Sequence, residues 1–182
     1  MFGKRDSILG AATELFSKRP YHMVVMDDIA KRARVAKGTL YNHFRSKEDL
    51  YVALLQDGLD NLLMRLKAES SENAIENLKL FINSLAAFFS EKKDFFEVLR
   101  REEGKLLSNK LKNCYEKTCS VKDLLHSILN KGVSEGHFRK DLDIQTISEV
   151  ILGMIKSAIS GNIETKRLSK TIFDMLLYGI KT

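Results

Sequence analysis

The sequence predicts an all-α protein, and three observations carry that prediction. Apolar residues recur at three-and-four spacing along nearly the whole chain, strand-like alternation is nearly absent, and the single proline, Pro20, falls at a helix end. At 182 residues the chain can bury one substantial core, or a small head joined to a larger body, but not several independent domains.

A first helix is expected from Ser7 to about Lys18, with Ile8, Ala11, Ala12, Leu15 and Phe16 on one side, and Pro20 ends it. Short helices follow near Asp27–Arg34 and Lys37–Phe44. A long fourth helix starts after Ser46 and runs to about Ala68, with the Ser46 hydroxyl as cap and Asp49 favourable to the helix dipole. Ile75, Leu78, Ile82, Leu85 and Phe89 make one stripe of a fifth helix, which Phe81 and Phe88 widen. Asp94–Glu103 reads as a sixth, and Leu106 to about Glu135 as a seventh that Gly136 terminates. His137–Asp143 is expected to be a turn. Asp143 then caps an eighth helix to about Ser160, and a ninth covers about Thr165–Tyr178, making about nine in all.

The formal net charge is +6 and the pI about 9.2, a balance that favours an acidic partner such as nucleic acid. Residues 1–50 hold ten Lys and Arg against six Asp and Glu, so most of the excess lies in the first quarter of the chain. Cys114 and Cys119 are five apart, outside any zinc or redox spacing, and read as reduced thiols. The beginning MFGKRDS has no signal-peptide character and no apolar run is long enough to span a bilayer, so a cytoplasmic protein without membrane contact is expected. Phosphate-cradling glycine loops, metal-ligand clusters and nucleophile motifs are lacking, which argues against an enzyme and gives no reason to expect a cofactor or metal.

The stretch MDDIAKRARVAKGTLYNHFRSKEDL reads as two short helices joined by a tight turn. Ile29, Ala30 and Ala33 face inward from the first, Val35 plugs the turn, and Leu40 and Phe44 face inward from the second. The small Ala30 lets two steeply crossing helices approach. Lys37, Thr39, Asn42 and His43 are left on the outer side of the second helix, where a major groove could receive them. A plain helical hairpin with the same polar residues in water is the alternative that spacing alone leaves open.

DDIAKRARVAKGTLYNHFRSKEDLYVALL closely resembles the DNA-binding segment of the TetR family of transcriptional regulators, most of all in KGTLYNHFRSKEDL. SILGAATELFSKRPYHMVVM resembles that family's first helix and its connection. The resemblance covers about the first 55 residues. It implies a three-helix DNA-binding head, here residues 1–46, and a helical body, here 47–182, that binds a small effector and pairs into a homodimer through its last two helices, near 144–160 and 165–180. Carried over by position, it makes Lys37 and Gly38 lie against the DNA, with Lys37 reaching a base edge or a phosphate. Thr39 would donate to phosphate and offer its methyl to thymine. Tyr41 resembles the family's phosphate-contacting tyrosine, Asn42 stands at a base-reading position, His43 at a backbone-contacting one, and Lys47 would clamp a phosphate.

The chain departs from the family pattern at four places. Arg34 stands in the turn where glycine is usual, and a left-handed backbone there would cost on the order of 1 kcal/mol. Pro20 lies where glycine is also usual. Val25 replaces a common capping threonine, and Asp27 a frequently basic or neutral residue, so two phosphate contacts are lost.

In the body, Leu59, Leu62, Leu63, Leu66, Phe81, Leu85, Phe88, Phe89, Phe95, Phe96, Leu99, Leu107, Leu111 and Tyr115 are core candidates, and the resemblance adds the reading that some line a cavity for an apolar or amphipathic ligand. Arg100, Arg101, Asn61 and His126 could supply polar contacts, but no residue is assigned to the ligand. In the eighth helix Ile147, Ile151, Met154 and Ala158 form one stripe, with Val150, Leu152, Ile155 and Ile159 on the flanks and Gly153, Ser157 and Gly161 permitting close approach. The ninth adds Leu168, Ile172, Met175, Leu176 and Ile180. A four-helix dimer interface follows, against the alternative of a deeply buried monomer core. The functional expectation is a repressor released from a palindromic operator on double-stranded DNA by a small molecule. The alternative is a helical interaction or ligand-sequestering module without operator binding, motivated by Arg34, Val25 and Asp27.

Overall fold

In the computed structural model of the chain, residues 3–68, 70–102, 111–161 and 163–180 are described. Nine α-helices occur among them: α1 (Lys4–Lys18), α2 (Met26–Ala33), α3 (Lys37–His43), α4 (Lys47–Ala68), α5 (Ala74–Glu91), α6 (Lys93–Glu102), α7 (Lys112–Ser134), α8 (Ile144–Ser160) and α9 (Thr165–Ile180), with a 3-10 turn at Tyr21–Met23. The all-α prediction and the helix order hold. Helix α1 starts one turn earlier than the apolar spacing suggests, because Gly3 opens it and the Asp6 carboxylate accepts from the Gly3 N–H. The expected start of the seventh helix at Leu106 lies outside the described residues, as does Leu107.

The chain forms two compact units: Met1–Asp60 with Lys92–Lys117, and Asn61–Glu91 with Thr118–Thr182. The first is larger than the 46-residue head read from the resemblance, since it takes in the start of α4 and all of α6. Its core is built on Ile8, Ala12, Phe16, Val24, Ile29, Leu40, Leu50 and Leu55, all buried. Helix α6 lies against α1. Phe95 fills the space that a side chain at Gly58 would need. At the end of α1, Arg101 donates to the Phe16 carbonyl at 3.0 Å, satisfying a group that the helix itself leaves without a partner, and the Ser17 hydroxyl bonds Asp94 at 2.8 Å. Arg101 therefore ties α6 to the end of α1.

In the second unit α5 packs on α8 and α9. Leu78, Ile82, Leu125, Leu129, Ile151 and Ile155 are buried there. Caps fix the helix starts: Asn73 accepts from the Ile75 and Glu76 N–H groups, and Asp143 accepts from the Thr146 N–H at 3.1 Å. Gly136 ends α7 at φ 76°, as its position suggested. The segment after it is more than a turn, because Phe138 is fully buried against the bare backbone of Gly132. Arg139 then ties its N–H to the Ile180 carbonyl of α9 at 2.9 Å.

Gly132 is a helical glycine kept small by Phe138: an added Cβ would overlap the Phe138 ring. Alanine gains about 1 kcal/mol of helix propensity over glycine, but overpacking a filled core costs about 1–3 kcal/mol. Gly132→Ala should therefore lower the free energy of unfolding in urea. A rise towards the propensity gain would show that Phe138 does not hold this site.

Candidate nucleic-acid interface

The interface is built from α2, the turn and α3. Ile29, Ala30, Leu40 and Phe44 are buried, as their spacing predicts, and Ala33 and Val35 are half-buried. Arg34 adopts φ 56° and ψ 42°, the only positive φ at a non-glycine residue among the described residues. The reason is the turn's hydrogen-bond closure: the Val35 N–H donates to the Ala30 carbonyl at 3.0 Å and the Arg34 N–H to the Lys31 carbonyl at 3.2 Å. That pair of bonds forces the residue between helix and turn into the left-handed region, where glycine is preferred. The condition under which Arg34 was expected to carry a backbone cost is therefore met. Val25 precedes α2 with no side-chain cap, half-exposed, as its apolar side chain dictates.

Leu40 is the only buried residue of α3, and Phe44 follows it. This leaves Lys37, Gly38, Tyr41, Asn42 and His43 exposed and Thr39 half-buried. A Cβ at Gly38 would meet nothing within 4 Å, so the surface above it is open. Six of the seven residues expected to meet DNA thus lie on one short helix. The seventh, Lys47, sits in the first turn of α4 with its ammonium already engaged. Its Nζ donates to the Tyr21 and Val24 carbonyls at 2.9 and 3.0 Å and stands 4.3 Å from the centre of the Tyr21 ring. One of its three donors is left for a phosphate.

Tyr21 itself stacks on Phe16 at 5.7 Å and meets Tyr51 edge-on at 5.0 Å, while Phe16 and Tyr51 are 4.8 Å apart. This aromatic cluster, with Lys47, fastens the exit of α1 to α4. Pro20 contributes by opening the 3-10 turn, with the Met23 N–H donating to its carbonyl at 3.0 Å, so the position needs no glycine. None of these contacts was legible from helical spacing, because they join a loop to two helices.

Charge pairs stitch α2 to its neighbours. Glu14 of α1 accepts from Arg32 at 2.6 Å and from Lys18 at 2.8 Å, and those two bonds hold its carboxyl below the usual range. Arg19 pairs with Asp28 at 3.3 Å. Beside Asp28 in the first turn of α2, Asp27 reaches across to α3, where both carboxylate oxygens lie 2.9–3.0 Å from Lys37 Nζ. Hydrogen bonding to Asp27 raises the Lys37 pKa above its ordinary value. Residue spacing alone gave no sign of this pair.

Because Arg34 holds a conformation that costs an L-residue about 1–2 kcal/mol, Arg34→Gly should raise the stability of the protein by about 1 kcal/mol in urea denaturation. A loss of stability would mean that the Arg34 side chain makes compensating contacts within the fold.

Two family models match the chain: bacterial regulatory proteins, tetR family, over residues 8–54, and the tetracyclin repressor-like C-terminal domain over residues 71–180. The HTH-type transcriptional repressor KstR2 of Mycobacterium tuberculosis is 31% identical over 153 residues, covering 81% of this chain and 76% of that protein. The solved structure of the ketosteroid transcriptional regulator KstR2 from the same organism superposes with a TM-score of 0.87 at 23% identity, covering 100% of this chain and 97% of that one. FadR of Bacillus subtilis, solved in complex with stearoyl-CoA, superposes with a TM-score of 0.81 at 24% identity, over 96% and 98% of the two chains. No helix among the described residues is long and apolar enough to cross a membrane. A helix-turn-helix of this geometry, followed by a body that matches the same family over its own length, makes the chain a DNA-binding transcriptional regulator of the TetR family.

Proposed function

We propose that the protein is a dimeric cytoplasmic repressor that grips a palindromic operator with α3 and lets go when an apolar or amphipathic small molecule binds its body. The observation that carries this reading is α3 itself, whose whole polar side faces solvent while Leu40 anchors its back. In this reading Tyr41, His43 and Lys47 hold phosphates, Thr39 meets a phosphate and a thymine methyl, and Asn42 reads a base edge. Gly38 lets the DNA backbone come close, which fits the open surface above it. A helical interaction module without operator binding is not favoured, since the aligned relative is a transcriptional repressor.

The dimer reading is supported by what α8 and α9 leave uncovered. Ser148, Ile151, Leu152 and Ile155 are buried within the chain, so only part of the predicted stripe is available outside. Elsewhere on these two helices Val150, Met175 and Tyr178 are exposed, Tyr178 to 94%, as are the small residues Gly153, Ser157 and Gly179. Small residues beside exposed apolar ones suit close pairing of helices. Two-fold pairing would set the two copies of α3 on half-sites about 34–36 Å apart, or a multiple of that turn. For the effector, the neighbours with this fold include one solved in complex with stearoyl-CoA, a ligand with a large apolar part, and one described as a ketosteroid transcriptional regulator. Binding would act only through a difference in affinity between the DNA-fitting and splayed dimers, and α4, continuous from Lys47 to Ala68, is the lever.

Anisotropy titration against a genomic fragment retained by the purified protein tests the DNA face. Thr39→Ala and Tyr41→Ala should each weaken binding about tenfold or more, as loss of a charged hydrogen bond worth about 1.5–3 kcal/mol requires. Binding unchanged in both variants would sink the assignment of α3. For the dimer, sedimentation should show two copies in the wild-type protein and one in Met175→Glu/Tyr178→Glu; a variant that still pairs would move the interface elsewhere.

A further inference from the structure

The pair formed by Asp27 and Lys37 is an unusual feature for a surface that meets a polyanion. A carboxylate on α2 occupies the ammonium group that α3 would otherwise offer to phosphate, with both oxygens 2.9–3.0 Å from it. The pair is exposed, 62% at the lysine and 52% at the aspartate, so water and ions reach it from outside and it can open without disturbing the core. Lys37 is the only Lys or Arg in α3, so Asp27 covers the one strong cation of that helix.

Resting on the reading that α3 meets DNA, we propose that Asp27 is a specificity-determining residue that masks Lys37 against phosphate and yields it only to a matching base edge. At a random site, phosphate must compete with a carboxylate already in place while Asp27 repels the backbone, so non-specific binding is held down. At the operator the pair presents a donor and an acceptor side by side. The major-groove edge of a C·G pair offers the complement, a cytosine amino group for the carboxylate and guanine oxygen and nitrogen for the ammonium. Such an edge satisfies both members of the pair, whereas a phosphate satisfies one and leaves the other repelled. Asp27 thereby raises the ratio of specific to non-specific affinity by lowering its denominator.

The test compares the full-length wild-type protein with Asp27→Asn, Lys37→Met and the double variant on two probes: a pool of random-sequence duplex and the duplex that wild-type protein enriches from it. Asp27→Asn should bind the random pool about three- to tenfold tighter, with a salt dependence steeper by about one unit of slope, because one more phosphate is neutralised. Its preference for the enriched duplex should fall. In the Lys37→Met background the same change should alter random-pool binding less than about twofold, since nothing remains to unmask. Random-pool affinity unchanged or weakened in Asp27→Asn overturns the proposal, as does a gain that persists without Lys37. Wild-type protein that enriches no duplex would instead overturn the DNA reading on which the proposal rests. Circular dichroism melting of each variant separates these outcomes from a failure to fold.

Discussion

Helix α3 is seven residues long, about half the length at which an isolated helix holds together in water. Everything the recognition surface does therefore depends on the packing that holds that helix from behind. The hold is narrow: Leu40 enters the core of the first unit, Phe44 follows, and the turn at Arg34 fixes the angle at which the helix arrives. The turn accepts an unfavourable backbone at Arg34 because its two closing hydrogen bonds leave no other path from Ala33 to Val35. Local strain here is the consequence of keeping α2 and α3 close, which Ala30 permits.

Support for that corner comes from farther back than the three-helix head suggests. Lys47 and the cluster of Phe16, Tyr21 and Tyr51 tie the loop after α1 to the start of α4, and Arg101 and Asp94 of α6 tie the end of α1 to α6. The end of α1 is thus held on two sides by groups from residues 47–101. A displacement of α6 within this unit would be felt at Phe16 and Ser17 directly. Since Phe16 also packs on Tyr21, the route from α6 to the loop that precedes α2 is two contacts long.

Much of this was legible in the sequence, and the remainder escaped for identifiable reasons. Helix order, the caps at Ser46 and Asp143, the stop at Gly136 and the inward residues Ile29, Ala30, Leu40 and Phe44 all follow from local periodicity and local hydrogen bonding. That Arg34 stands where a turn favours glycine was legible; that its backbone is left-handed came from the structure. Contacts between elements distant in sequence carry no such periodic signal. Lys47 has the position of a phosphate clamp, and its bonds to two carbonyls 23 and 26 residues away and its place over an aromatic ring could not be read from that position. Arg101 could be read from the sequence only as a possible polar contact, and it donates to a carbonyl 85 residues earlier. Phe138 sat in an apparent turn, and only the bare backbone at Gly132 explains how it is buried.

The charge pattern of α2 follows from the same economy of contacts. Three of the four charged residues of α2, Asp27, Asp28 and Arg32, spend their charge on neighbouring segments, where they pair with Lys37, Arg19 and Glu14. Exposed pairs of this kind contribute little to stability one by one. Their effect is on register and on field: three ties from one short helix to α1, its exit and α3 discourage sliding of α2, while the acids reduce the positive potential that a basic head would otherwise turn towards any polyanion. A regulator that must ignore most DNA benefits from the second effect, because random sites vastly outnumber the operator. In the proposed reading, the net positive charge of the first fifty residues draws the protein to DNA, and the paired acids keep that attraction from deciding where it stays.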